Sequence, residues 1–361
     1  MQIDAAVTRG ADSEFALTTL RLEALRPDEI LVRTVAVGMC HSDLTARALF
    51  PDGAVLGHEG AGVVEAVGTA VTGLSPGDHV VLSFDHCGRC RQCLRGRPYR
   101  CLNFAAANFF GARPDGSHVL YNGEVPVSGN FFGQSSFADH CIATERNAVK
   151  VDPDAPLDKL APLGCGIITG CGTVLNALRP EPGSSLAVFG VGAVGLSALL
   201  GGVISRVGTL IAVDVVEERL NLASKLGATH VIDGRSDDVL SQVREITGGG
   251  ADYAVEASGV ASVARTAVSA VPEGGSVALV GIADLEAEIS LSHYEVVMGR
   301  SVSGITEGNS VPQLFIPALI ELWRRGEFPF DQMISSYPFA EINTAMRDSL
   351  AGVAIKPVLT F

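Results

Sequence analysis

Charge is scarce in this chain: Asp, Glu, Lys and Arg make up only 18% of its 361 residues, while apolar residues make up 47%. That balance excludes a disordered polyelectrolyte and leaves ample material for a packed core. Positive charge is the scarcer sign, with 26 basic residues against 40 acids and a net charge of −14. Phosphate backbones need concentrated positive charge, so no nucleic acid is expected as a partner. The first residues, MQIDAAVTRGADSEF, lack the apolar stretch of a signal peptide. A cytoplasmic, reducing location is therefore predicted, and disulfides are disfavoured. Residues 186–205 run twenty positions without a charge, long enough to span a bilayer, but five glycines interrupt them and a nucleotide turn explains them better, so no membrane is expected. There is no internal repeat or low-complexity tract.

At 361 residues the chain exceeds what one hydrophobic core usually supports, which predicts two domains. The first part carries short β-branched runs ending at Gly, Pro or Asp: EILVRTVAVG, GAGVVEAVG and SPGDHVVLS. This is a barrel-like or sandwich-like texture. From about residue 160, strands such as SLAVFG, TLIAVD, ATHVID, ADYAVEASG and SVALVG alternate with helical stretches, the pattern of a doubly wound parallel sheet in an α/β protein. A helix in VPQLFIPALIELWRRGEF and a last strand in KPVLTF follow.

Gly190, Gly192 and Gly195 form GxGxxG between the strand SLAVFG and a helical pattern that begins at Ala193 and Val194. The first glycine permits a tight turn, the second lets backbone approach a pyrophosphate, and the third lets helix and strand pack closely, with the helix N-terminus supplying positive potential. Asp214 ends the next strand, where a carboxylate accepts hydrogen bonds from an adenosine ribose and repels a 2′-phosphate. The cofactor expected is therefore NAD in preference to NADP. A helix-capping role for Asp214 is the plain alternative, and Arg219 either softens the preference or is a solvated helix residue.

Cysteine is also sparse, eight in all, yet four fall within fifteen positions: Cys87, Cys90, Cys93 and Cys101. Their CxxCxxCx7C spacing lets four thiolates converge on one structural Zn²⁺, with an iron–sulfur cluster as the alternative. Cys40, His58 and Cys165, set in GMCHSDL, GHEGAG and PLGCGIITG, are candidates for a second ion with an open position. Separations of this length do not establish such a set by themselves.

The ordered series EILVRTVAVGMCHSDL, GHEGAGVVEAVG, PGDHVV, the four-cysteine lobe, PLGCGIITG, GVGAVG and KPVLTF resembles the zinc-containing medium-chain alcohol dehydrogenases over essentially the whole chain. FFGQSSFADH, PLGCGI and LIELWRRGEFPFDQMI look most like the aryl-alcohol (benzyl alcohol) branch. The resemblance implies a GroES-like β-rich catalytic domain at 1–166 and 307–361 and a Rossmann domain at 167–306. It also implies two Zn²⁺, NAD, and reversible oxidation of aromatic or allylic primary alcohols to aldehydes. Cys40, His58 and Cys165 would hold the catalytic zinc, with Glu59 near it and Asp43 orienting His58. Ser42 would take the alcohol proton, Thr169 would face the nicotinamide, and the backbone at Val280, Gly281 and Ile282 would hold its carboxamide. His41 and Lys356 would meet the pyrophosphate. Thr45 stands where many relatives carry a relay histidine, leaving His41, water or direct release as routes for the proton. A homodimer or homotetramer is expected, with SVALVGIADLEAEISL a possible edge. A thiol-dependent formaldehyde dehydrogenase and a non-enzymatic zinc- and nucleotide-binding relative are the alternative functions.

Overall fold

The computed structural model describes residues 1–282, 284 and 286–361. Ala283 and Leu285, inside the stretch expected to form an oligomer edge, lie outside the described residues. The chain divides into two compact units, one of residues 1–165, 311–321 and 331–361 and the other of residues 166–310 and 322–330. Gly166, residues 307–310 and residues 322–330 thus group with the second unit, whereas the expected bounds set 1–166 and 307–361 in the first.

The first unit is built on a seven-stranded sheet. Its centre is the pair Glu29–Gly38 and Glu59–Val67, β-branched runs whose apolar side chains, among them Ile30, Val32 and Val64, pack with Val80, Leu82 and Cys141 in one core. The two strands are antiparallel, with Gly38 opposite Glu59. That register brings the residues after Gly38 and those before Glu59 to the same end of the sheet. The final strand, Lys356–Thr360, pairs with Glu29–Gly38 at the same end, Val358 lying opposite Gly38. Elsewhere in the unit, Arg113 reaches the strand start through a buried two-pronged pair with Glu29, at 2.6 and 2.8 Å. A planar guanidinium matches a carboxylate in this way, whereas an ammonium cannot.

The second unit carries a six-stranded, wholly parallel sheet in the order His230–Asp233, Thr209–Asp214, Ser185–Phe189, Tyr253–Glu256, Ser276–Leu279, Ser301–Gly304. Numbered along the chain this is 3-2-1-4-5-6, the Rossmann order, with its switch point beside the first strand. Helices pack against the sheet, and its central strands read as continuous apolar runs without alternation; Thr209–Asp214 is buried at every position after the first, whereas the edge strands His230–Asp233 and Ser301–Gly304 are largely exposed. The uncharged run of residues 186–205 is that first strand, the glycine turn and the twelve-residue helix Ala193–Ile204, buried continuously from Gly195 to Gly202. Among the described residues no single helix is long and apolar enough to cross a membrane.

Candidate functional site

The strand register delivers two candidate ligands to one point, and a carboxylate fixes them. Cys40 caps the short helix His41–Ala46, and the fully buried Asp43 turns back to accept from the Cys40 N–H at 2.9 Å. Its other oxygen accepts from the Gly57 N–H at 3.0 Å and from His58 Nδ1 at 2.8 Å. With Nδ1 occupied, the lone pair of His58 lies on Nε2, which is buried and has no hydrogen-bond partner among the described residues. A sulfur of Cys40, a sulfur of Cys165, a His58 nitrogen and a Glu59 oxygen all lie within 4.8 Å of one another. Two sulfurs, an orphaned buried imidazole nitrogen and a carboxylate make a donor set that suits zinc.

Electrostatics favour a cation there. The Cys40 thiol is held well below its ordinary range, first by hydrogen bonding with the Cys165 sulfur and then by the Lys356 ammonium, while burial works the other way. Burial opposes a charge on His58, but the Asp43 carboxylate and the Cys40 sulfur together outweigh it and hold the imidazole well above its usual range. Lys356 makes an ion pair that the sequence does not announce. Its ammonium is 2% exposed and donates to both Glu59 oxygens at 2.9 Å and to the Met39 carbonyl at 3.3 Å. The ion pair follows from strand pairing at Gly38, which sets Lys356 beside the start of the Glu59 strand. Burial pushes the Glu59 carboxyl up, and Lys356 offsets part of that rise.

Ser42 and His41 are exposed, Thr45 is half-buried, and the Ser42 hydroxyl lies 3.8 Å from the Cys40 sulfur. The Phe132 ring stacks on the His58 imidazole at 4.4 Å and the Phe131 ring meets it edge-on at 5.3 Å. Phe109 continues this wall, 5.3 Å from Phe132, and Phe104 lies 5.9 Å beyond it. The sequence offers these phenylalanines only as loop aromatics; their contact with the His58 imidazole depends on the fold.

In the lobe, the sulfurs of Cys87, Cys90, Cys93 and Cys101 also lie within 4.8 Å of one another. The Cys90–Cys93 and Cys87–Cys101 sulfur pairs are each 3.5 Å apart, too far for disulfides. Amides of Cys87 and Asn103 donate to the Cys101 sulfur, and that of Leu102 donates to Cys90. Backbone N–H groups, led by those of Cys93 and Leu102, draw Cys90 down to about 6, whereas burial pushes Cys93 up to about 12. Four sulfurs at this spacing repel one another as thiolates unless a cation sits among them, and closed four-sulfur coordination suits structural zinc.

In the second unit Gly190 has φ +82°, and a side chain there would meet the Ser258 amide nitrogen at 2.7 Å. A Cβ on Gly195 would strike the Gly190 carbonyl, while Gly192 faces open space at the cap of the Ala193–Ile204 helix. The turn therefore leaves room where the second glycine sits and none at the third. Asp214 is buried and braces it, accepting from the Val191 N–H at 2.7 Å and the Val216 N–H at 2.9 Å. Arg219 stands 3.9 Å from its carboxylate. The Val280 and Gly281 N–H groups both donate to the Glu256 carbonyl, so neither amide is aimed outward, and Ile282 is exposed. Thr169, buried on the helix Gly166–Gly172, donates to Glu307 at 3.4 Å.

A β-rich unit carrying two zinc-suited donor sets, joined to a Rossmann sheet, is the architecture of a zinc-type oxidoreductase. Residues 26–153 match the family model described as the alcohol dehydrogenase GroES-like domain, and residues 193–323 match that described as zinc-binding dehydrogenase. The chain belongs to the zinc-containing medium-chain alcohol dehydrogenase family. It is 44% identical over 363 residues to geraniol dehydrogenase of Castellaniella defragrans, covering 99% of this chain and 97% of that one. The crystal structure of benzyl alcohol dehydrogenase from Acinetobacter calcoaceticus superposes with a TM-score of 0.96 at 44% identity, covering 100% of this chain and 99% of that one. Alcohol dehydrogenase class-3 of Myxine glutinosa is 35% identical, covering 98% of this chain and 96% of that one.

Proposed function

We propose that this protein reversibly oxidises aromatic or allylic primary alcohols to aldehydes, with NAD as the hydride acceptor and with catalytic zinc at Cys40, His58 and Cys165. The observation that carries the reading is the orphaned His58 Nε2, set among two sulfurs and stacked on an aromatic wall. Zinc bound there supplies a Lewis acid that makes a hydroxyl acidic near neutral pH, and bound NAD supplies the acceptor for hydride.

The protein's own groups do the rest. Asp43 keeps His58 in the tautomer that presents Nε2 and raises its basicity as a ligand. The buried Phe131 and Phe132, with the exposed Phe109 beside them, form a flat-sided aromatic wall suited to a benzylic ring or an unsaturated chain. The Ser42 hydroxyl takes the alcohol proton and, being exposed itself, passes it directly to water, with no relay histidine at Thr45. The Lys356 ammonium holds the Glu59 carboxylate in place beside the ligand sulfurs. In the nucleotide unit, Gly192 leaves space for a pyrophosphate at the helix start, and Asp214 offers its remaining lone pairs to ribose hydroxyls. The names of the geraniol and benzyl alcohol dehydrogenases support the substrate class.

The test is absorbance of reduced cofactor on mixing the protein with NAD⁺ and a panel of benzylic, allylic and short aliphatic alcohols. Turnover is expected with the first two classes, without any added thiol. Formaldehyde oxidation only in the presence of a thiol would transfer the assignment to the alternative dehydrogenase, and silence across the panel would leave a non-catalytic binding protein. We further propose that two copies pair through the edge strand Ser301–Gly304, beside which Tyr294 and Val297 are each 64% exposed. Sedimentation of the protein as a monomer at micromolar concentration would remove that reading.

A further inference from the structure

We propose that Gln134, acting with Ser83, is a positioning residue of the catalytic metal site: it touches neither metal nor alcohol but holds fixed the backbone segments that deliver His58, Glu59 and Cys165. The inference rests on the reading above that zinc sits at those residues.

Gln134 is 1% exposed and spends its whole hydrogen-bonding capacity on this task. Its Oε1 accepts from the Gly60 N–H and from the Ser136 hydroxyl, each at 3.0 Å. Its Nε2 donates to the His58 carbonyl at 2.9 Å and to the Ser83 carbonyl at 3.1 Å. The bonds to His58 and Gly60 bracket Glu59 from both sides, so a single amide clamps the run that supplies two members of the donor set. Ser83, itself fully buried, extends the clamp: its hydroxyl donates to the Gly164 carbonyl at 2.5 Å, one residue before Cys165. The ligand segments, distant in sequence, are thereby linked through one dry polar network.

The surroundings are shaped to admit that amide. A Cβ on Gly60 would meet Gln134 Oε1 at 2.9 Å and the Ser136 Cβ at 2.8 Å, so glycine is needed for the approach. The loop bearing Gln134 places Asn130, Phe132 and Ser135 in the left-handed region, at φ 60°, 53° and 55°. Such conformations persist in non-glycine residues only where the surroundings over-determine them. Here the Ser135 hydroxyl donates to the Val55 carbonyl at 2.7 Å, and Asn147 Nδ2 donates to the Phe132 and Gly133 carbonyls at 3.2 Å. The same loop sets Phe131 and Phe132 against His58. Gln134 therefore couples the metal ligands to the wall that receives the alcohol.

The test measures zinc release from the holoenzyme into a chromophoric chelator for wild type, Gln134→Met and Ser83→Ala, with Arg113→Met as a control. The control breaks the buried pair with Glu29 and so destabilises the same unit without touching the clamp. Partners that orient metal ligands typically change metal affinity by about 10–100-fold when lost. Q134M is expected to release one of two zinc ions about 10–100 times faster than wild type and the other at an unchanged rate, with S83A shifted in the same direction by less. R113M should release both at the wild-type rate. Should Q134M fail to fold, S83A alone carries the comparison. Wild-type release rates in both clamp variants, or an equal acceleration in R113M, would overturn the proposal. A wild-type protein that yields only one zinc, from the four-cysteine lobe, would overturn the catalytic-zinc reading and this inference with it.

Discussion

Cys165→Ala is expected to bind one zinc per chain where the wild type binds two, and to lose about 10⁴-fold or more in kcat/KM for a benzylic alcohol. The substitution removes one sulfur from the set formed with Cys40, His58 and Glu59 and leaves the four-cysteine lobe untouched. Zinc brings a bound water's pKa from about 16 to about 7, so the stabilisation of a deprotonated hydroxyl at stake is large. Losing on the order of 6 kcal/mol of it corresponds to about 10⁴ in rate. Cys165 is small, buried and carries no backbone duty that alanine cannot perform, so the fold should survive and the loss should appear in metal content and rate together. Elemental analysis alongside steady-state kinetics checks this. Two zinc ions retained with more than a tenth of the wild-type rate would place the reactive centre elsewhere.

The parts of the site that could be read along the chain are those whose residues are neighbours in sequence. The four lobe cysteines and the turn Gly190–Gly192–Gly195 each occupy one short segment, so spacing and immediate context narrow their chemistry. Cys40, His58 and Cys165 carry no such local signal. Cys40 and His58 meet because two antiparallel strands pair Gly38 with Glu59, with register shifts at Leu31/Val32 and Thr34/Ala36 that no periodicity announces, and Cys165 joins them from the turn Ala161–Gly164 packed against the Glu59 strand. Only likeness to a family pointed to them. For Lys356, likeness gave no hint of the ion pair its ammonium makes with the buried Glu59 carboxylate, 297 residues away in the chain. Gln134 gave no signal either, because three of its four hydrogen bonds go to backbone and the fourth to the nearby Ser136 hydroxyl, which leaves no distant complementary residue to find. The fold was more legible: alternating β-branched runs and helical stretches marked the parallel sheet. The irregular helical segments Gly166–Gly172 and Thr173–Leu178 were not anticipated, since their glycines and β-branched residues carry little helical propensity and form helix through burial.

Asp214→Asn should reverse much of the cofactor preference, lowering kcat/KM with NAD about 100-fold and raising it with NADP about 10-fold, a change of about 4 kcal/mol in their ratio. Two effects add. Hydrogen bonds to a charged acceptor are worth about 1.5–3 kcal/mol, and the neutral amide weakens those to ribose and can accept from only one of the Val191 and Val216 N–H groups. The second effect is repulsion, since an ionised carboxylate in a buried setting opposes a 2′-phosphate, and like charges brought together at an interface cost several kcal/mol. Arg219 makes the reversal asymmetric. Its guanidinium stands 3.9 Å from the Asp214 carboxylate and is 24% exposed; once that carboxylate is neutral, its charge is available to a phosphate approaching from solvent. Kinetics with both cofactors at one fixed alcohol concentration read the ratio directly. A ratio unchanged by D214N would mean that Asp214 serves only to brace the glycine turn, and a loss with both cofactors alike would mean that the brace outweighs the ribose contact.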